Sequence, residues 1–132
     1  MKAKQLMLGN YALYNGLAVR VRNIHDNVFL DGGDESVEVV YDDGVVVLVD
    51  PCSLEPIPIT QDFLEKNFEK KTFFGIFDDY FDLTIREYSD SLYVVDYHCC
   101  EMSLPDQHVT VCFVHELQHF MNHCAIEKEI KL

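Results

Sequence analysis

The chain has 132 residues, of which 48% are apolar and 25% charged, and its formal net charge is −13 at pH 7. This length and composition suffice for one sizeable hydrophobic core or two small ones, and they exclude a disordered chain. The acidic surface repels phosphate backbones and anionic membranes, so direct nucleic-acid binding is disfavoured. No apolar run is long enough for a signal peptide or a membrane span, so we expect a cytoplasmic location.

Residues 10–59 alternate between short apolar segments and turn residues, a pattern typical of small antiparallel sheets. Asn15-Gly16 is a strong two-residue hairpin signal, and Asp42-Asp43-Gly44 predicts a second hairpin. The segments that we predict as strands are 10–14, 17–24, 28–30, 36–41 and 45–49.

The stretch from Asp50 to Pro58 contains three prolines, which end strand pairing and mark a boundary. Five short strands before this boundary predict a small SH3-like antiparallel β-barrel over residues 1–59. Residues 60–132 are predicted to form a separate α+β unit that contains a helix, a β-meander and a C-terminal helix. The predicted fold class is therefore α+β.

The second half opens with a helix-start signal, because the Thr60 hydroxyl can cap the run from Gln61 to Asn67. Aromatic and β-branched residues then predict a meander, and the last helix is expected at about 110–124. The remaining predicted strands are 72–77, 80–88, 92–98 and a closing strand at 127–132.

The last predicted helix carries the motif His115-Glu116-Leu117-Gln118-His119. Two histidines four residues apart share one face of a helix and can hold one zinc ion. The intervening Glu116 can then act as the general base that deprotonates a metal-bound water. This pattern is typical of zinc-dependent hydrolases.

A catalytic zinc also needs a third protein ligand, and the sequence supplies none at a recognised spacing. The extended form of the motif needs a glycine three residues after His119 and a histidine ligand three residues further on, but this chain has Asn122 and Ala125 at these positions. His123 lies about 12 Å along the helix from His115, too far for both to bind one ion. The other candidate ligands are Glu127, Glu129, Asp96, His98 and His108.

A helical wheel separates the apolar residues of this helix from its histidines. The apolar side contains Phe113, Leu117, Phe120, Met121 and Cys124. The other side contains His115, His119, Asn122 and His123. This distribution predicts that the histidines point into solvent.

Five cysteines without a Cys-x-x-Cys pair indicate reduced thiols. Cys100 or Cys112 beside a histidine would suggest a thiol nucleophile, but no third group is positioned to support it. A zinc cluster is a further possibility, although its spacing matches no common ligand pattern. Its members would be His98, Cys99, His108 and Cys112.

Both ends of the sequence and its central junction resemble one family of small uncharacterised proteins. These proteins are encoded by gut Bacteroidetes, often within prophages or other mobile elements. The matching stretches are Leu8-Gly9-Asn10-Tyr11, Ser53 to Thr60, Phe63 to Asn67, Val114 to Gln118 and Glu129 to Leu132. The resemblance is weak between about 72 and 108, and it implies no activity, cofactor or catalytic residue.

The helix of that family resembles Val-His-x-Leu-Gln-Asn-Leu-Tyr, which matches Val114, His115, Leu117 and Gln118. Glu116 and His119 are then variations of this chain, which makes the zinc motif a chance addition to a structural helix.

Two functions follow as expectations. The first is a non-enzymatic accessory or interaction protein of a mobile element or prophage, which binds a protein partner through its acidic surface or through an aromatic patch of Tyr11, Tyr14 and Tyr41. The alternative is a zinc-dependent hydrolase with His115 and His119 as metal ligands and Glu116 as the catalytic base.

Overall fold

The computed structural model describes residues 1, 5–26, 35–100 and 106–132. Within these ranges the chain forms ten strands and two α-helices, divided between two units, Met1–Ile57 and Pro58–Leu132. Each unit contains one antiparallel sheet of five described strands. The predicted α+β class is confirmed. The predicted domain boundary after residue 59 lies two residues from this division.

Unit 1 (Met1–Ile57) is a sheet with the strand order β4-β3-β2-β1-β5. Its strands are β1 (Tyr11–Tyr14), β2 (Leu17–Asp26), β3 (Glu35–Val40), β4 (Val46–Val49) and β5 (Leu54–Glu55), with a 3-10 turn at Pro51–Ser53 before β5. Alternate side chains of these strands point to one face and form a buried core. This core includes Ala12, Val19, Val21, Val37, Val39 and Leu54.

Both predicted hairpins of unit 1 are confirmed. Asn15 and Gly16 have φ angles of 50° and 78°, the left-handed pair that a two-residue turn with the twist of the sheet requires. In the second hairpin Gly44 has a φ of 87°, and the Asp43 carboxylate accepts a hydrogen bond from the Val45 N–H at 3.0 Å. Local turn chemistry therefore sets the register of both strand pairs.

The five described strands of unit 1 do not close into the predicted barrel. β4 and β5 are the two ends of the sheet order and do not pair with each other. β5 ends after two residues because Pro56 follows it, and proline has no N–H to continue a ladder. The predicted strand at 28–30 lies outside the described residues, and the fifth strand comes instead from the proline-rich stretch.

Unit 2 (Pro58–Leu132) is a sheet with the strand order β10-β9-β8-β7-β6 and two helices. The helices are α1 (Gln61–Asn67) and α2 (Val114–His123). The strands are β6 (Glu69–Lys70), β7 (Phe74–Phe77), β8 (Phe81–Ser89), β9 (Leu92–Cys99) and β10 (Gln107–Val111). The most deeply buried side chains of both helices and of β8, β9 and β10 include Leu64, Leu83, Ile85, Val95, Val111 and Leu117.

Helix α1 begins where the sequence predicts, since the Thr60 hydroxyl accepts a hydrogen bond from the Phe63 N–H at 3.2 Å. The predicted start of the last helix at about 110 is wrong, because residues 107–111 form β10. In this strand Val109 pairs with Val95 and Val111 with Tyr93 of β9. β-Branched residues favour such a half-buried strand over the first turn of a helix.

The closing strand predicted at 127–132 is not formed, and a buried side-chain amide takes its place. The Asn67 amide nitrogen donates to the carbonyl oxygens of Phe63 at 2.9 Å and Lys131 at 2.6 Å. The Asn67 amide oxygen accepts from the Lys131 N–H at 2.6 Å. One side chain thus makes both hydrogen bonds that a neighbouring strand would make to Lys131.

We expect Asn67→Leu to lower the free energy of unfolding by about 2–4 kcal/mol, because it removes the three hydrogen bonds of a buried side chain. Urea unfolding followed by far-UV circular dichroism measures this change. Asn122→Leu, at an exposed position of α2, is the matched control. An Asn67→Leu protein within about 0.5 kcal/mol of the unsubstituted chain would contradict this role.

Candidate functional site

The His-Glu-x-x-His motif occupies the first turns of α2, and backbone contacts with the start of unit 2 fix the entry to this helix. The Ile59 N–H donates to the Cys112 carbonyl at 3.0 Å, and Pro58 forms an isolated antiparallel bridge with Phe113. Phe113 is the N-cap residue, with extended backbone angles. The chain therefore passes from β10 into α2 within two residues.

Glu116 closes the start of this helix. Its Oε1 accepts hydrogen bonds from the N–H groups of Cys112 at 2.9 Å and Phe113 at 3.0 Å. Phe113 has no side-chain acceptor of its own, so Glu116 supplies the reach-back half of a capping box. A carboxylate at this end also interacts favourably with the helix dipole. The proposed general base is thus directed at the helix start and engaged there.

His115 is buried, with only 7% of its surface exposed, and the prediction that it points into solvent is wrong. Its ring stacks on the Phe113 ring, with centroids 5.9 Å apart and planes 11° from parallel. The helical wheel predicts this burial wrongly because it treats Phe113 as a residue of the helix. Phe113 lies before the helix, and its ring covers the side on which His115 lies. Among the described residues, Nδ1 of His115 is a buried nitrogen without a hydrogen-bond partner.

His119 lies one turn further on and meets His115 edge to face, with ring centroids 5.6 Å apart. Burial lowers the pKa of His115 below its usual 6.5, Glu116 opposes this shift and His119 adds to it. Burial likewise lowers the pKa of His119, against the opposing charge of Glu116. Both imidazoles are therefore neutral at pH 7, the state in which a histidine can bind a metal. His123 is exposed, as predicted.

The described residues contain no group of three or more His, Cys, Asp or Glu side chains placed to hold a metal ion. None of the described candidates for a third ligand therefore joins His115 and His119. His98 is instead paired with Asp106, and this hydrogen bond, together with the carboxylate charge, raises the pKa of His98. His108 faces Asp96 across the β9–β10 pairing.

The suggested zinc cluster around His98 and Cys99 conflicts with strand geometry. These two residues are neighbours on β9, so their side chains point to opposite faces of the sheet. All five cysteines are free thiols. Of the two suggested nucleophiles, Cys100 is exposed and Cys112 is partly buried. Burial raises the pKa of the Cys124 thiol, which disfavours its reactive thiolate form.

The three tyrosines of the expected aromatic patch are engaged within unit 1. Tyr14 and Tyr41 are partly buried against its core. The Arg20 guanidinium lies 5.4 Å from the centre of the Tyr11 ring. All three tyrosines are thus half-buried, with part of each side chain exposed.

An exposed apolar surface on β4 is absent from the sequence-based predictions. Val46 and Leu48 of β4 expose 37% and 60% of their surface, and Val45, the residue before the strand, exposes 52%. The signal that points to it is the uninterrupted apolar run from Val45 to Val49. A strand with one face on a core must present alternate side chains to solvent, so an apolar run in such a strand leaves apolar groups exposed.

No protein-family model, no curated protein and no solved structure matches the chain. Neither α1 nor α2, the helices of the described ranges, is long and apolar enough to cross a membrane.

If Glu116 acts as a cap, Glu116→Ala should lower the free energy of unfolding by about 1 kcal/mol, the usual size of a lost cap. Glu116→Gln keeps an amide oxygen that accepts the same N–H groups, so we expect it to lose less than about half as much. Urea unfolding of both variants measures the difference, with Glu127→Ala, at an exposed position beyond α2, as the control. Unchanged stability in Glu116→Ala would contradict the capping role.

Proposed function

We propose that the chain is a non-enzymatic accessory protein that binds a protein partner. The observation that carries this proposal is the exposure of Val46 and Leu48, which lie on the same face of β4. Adjoining large apolar side chains on the surface of a domain commonly mark an interaction site. Their exposure in a chain of net charge −13 sets this surface apart from its surroundings. The capping role of Glu116 also argues against catalysis by the motif.

We further propose that unit 1 is SH3-like in its strand order, and that the chain belongs with the small mobile-element proteins of gut Bacteroidetes. The SH3-like assignment is supported by the four-stranded meander, the 3-10 turn before β5 and the return of β5 to pair with β1. The family assignment is supported by the matching stretches at 8–11 and 53–60. Small domains of SH3-like architecture commonly recognise extended segments of other proteins.

Recovery of a partner from a lysate of the source cells tests the interaction. We expect the immobilised chain to retain one protein saturably, and Leu48→Lys to weaken this binding at least about tenfold by placing a charge in the apolar contact. Leu17→Lys is the matched control, because Leu17 is also 60% exposed but lies at the start of β2. The absence of any saturable partner, or equal weakening by both variants, would contradict the proposal.

A zinc-dependent hydrolase remains the second candidate function, favoured by one observation. Nδ1 of His115 is buried without a partner among the described residues, and His119 lies beside it. A buried polar atom without a hydrogen-bond partner requires an explanation, and one explanation is a bound ion. The two histidines would hold the zinc, and Glu116 would have to leave the helix start to act as the base.

Metal analysis separates the two candidates. Protein purified without chelators and without a histidine tag should contain less than about a tenth of an equivalent of zinc, since His115 and His119 supply only two of the required ligands. The measurement is elemental analysis by mass spectrometry, with His123→Ala as a control and His115→Ala as the test variant. A full equivalent of zinc that is lost in His115→Ala alone would favour the hydrolase.

A further inference from the structure

We infer that β4 is a docking edge at which an extended segment of a protein partner adds a strand to the sheet of unit 1, and that this segment is apolar in its middle and basic at both ends. This inference rests on the proposed interaction function and specifies the surface, the mode of binding and the chemistry of the partner.

The backbone of β4 determines which groups are available to such a strand. The Tyr41 N–H donates to the Val45 carbonyl at 2.9 Å, so the Val45 carbonyl points towards the β3 side. Hydrogen-bonded and non-bonded pairs alternate along antiparallel strands, so Val47 also directs its N–H and carbonyl to β3. The N–H and carbonyl groups of Val46 and Leu48 therefore point to the outer edge, where no described strand pairs with them.

Edge strands usually carry a feature that prevents pairing with another chain, such as a lysine, a proline, a bulge or a very short length. The run from Val45 to Val49 contains no charged residue and no proline, and its pairing with β3 has no register shift. The other edge strands of the described sheets differ from it. β5 and β6 have two residues each, and β10 exposes the polar residues His108 and Thr110.

The charges around β4 select the occupant. Asp42 and Asp43 precede the strand, Asp50 follows it, and all three are exposed. An antiparallel second copy would bring Asp42 and Asp43 within about two residues of Asp50 of the other chain, so that like charges would meet at both ends. Each copy also carries a net charge of −13. A segment of another protein with Lys or Arg at both ends places opposite charges at these positions.

The contacts of such a strand divide into two kinds. Main-chain hydrogen bonds to Val46 and Leu48 supply affinity that does not depend on the partner's side chains. The exposed Val46 and Leu48 side chains contact alternate side chains of the partner, which favours apolar residues at every second position. A peptide of this design is therefore a direct probe of the edge.

The probe is a fluorescein-labelled peptide, Lys-Lys-Thr-Val-Thr-Val-Thr-Val-Lys-Lys, titrated with the full chain and followed by fluorescence anisotropy. We expect saturable binding that Val46→Pro weakens at least about tenfold, because proline removes an N–H that points to the outer edge. The fold should survive, since proline is tolerated in an edge strand where its missing N–H faces outward. Val46→Thr keeps the N–H and should bind within about threefold of the unsubstituted chain.

A second peptide tests the charge requirement. Replacement of the four lysines by glutamates keeps the alternating middle and reverses the charge at both ends. We expect this peptide to bind at least about tenfold more weakly at low salt, with the difference shrinking as salt screens the charges. Equal binding of the two peptides would overturn the predicted chemistry of the partner.

Four further outcomes test strand addition and the identity of the occupant. No saturable binding of the lysine peptide, or equal binding by Val46→Pro with an unchanged circular dichroism spectrum, would overturn strand addition. Sedimentation that shows a dimer abolished by Val46→Pro would identify a second copy as the occupant instead. A lysate partner that is sensitive to Leu48→Lys but not to Val46→Pro would leave the proposed function standing while excluding strand addition. The absence of any lysate partner would count against the proposed function alone.

Discussion

The two hydrogen bonds from Cys112 and Phe113 to the Glu116 carboxylate hold the junction between β10 and α2. The same carboxylate is the only candidate for the general base in the zinc motif, so its structural and catalytic roles compete for one group. Release from the cap would leave two N–H groups without this acceptor and lose about 1 kcal/mol of helix stabilisation. In the structure, the five residues of the motif therefore begin a helix, and the carboxylate of Glu116 is engaged at its start.

The histidines of the motif also have structural contacts, because their rings pack against neighbouring rings. A helix that begins directly after a strand brings its first side chains against the residue before it, and here the His115 ring stacks on Phe113. Burial makes the neutral imidazole the favoured form and lowers its pKa. His115 therefore behaves as an aromatic side chain in the packing, while its neutral state remains suitable for a metal. Protonation state and ligand geometry are separate requirements, and the described residues meet only the first.

Features decided within a few residues follow directly from the sequence. The Asn15-Gly16 turn and the Thr60 cap depend on local backbone preferences and one side-chain hydrogen bond, and both form as predicted. β10 requires β9 as a partner, and Asn67 replaces a closing strand through contacts 64 residues away. No local pattern contains such information.

In the candidate site, too, the features that depend on local geometry are predictable from the sequence, and those that depend on packing are not. The spacing of His115 and His119 correctly predicts one shared helix face, because that depends only on helical geometry. The burial of His115 depends on Phe113, and the direction of Glu116 depends on which N–H groups lack partners at the helix start. A motif specifies residue types and their spacing. It does not specify which other contacts each side chain makes in the fold.

The aspartates at the two ends of β4 affect which chains can pair with the outer edge of this strand. An apolar edge strand favours pairing with any extended chain, including another copy of itself. Three aspartates at the ends of this strand and a net charge of −13 oppose self-pairing without closing the edge. Because the backbone hydrogen bonds are the same for every partner, discrimination between partners has to come from the side chains and the charges. In the proposed complex, the same carboxylates that oppose a second copy would attract a basic segment, so one set of residues would act against self-pairing and for the partner.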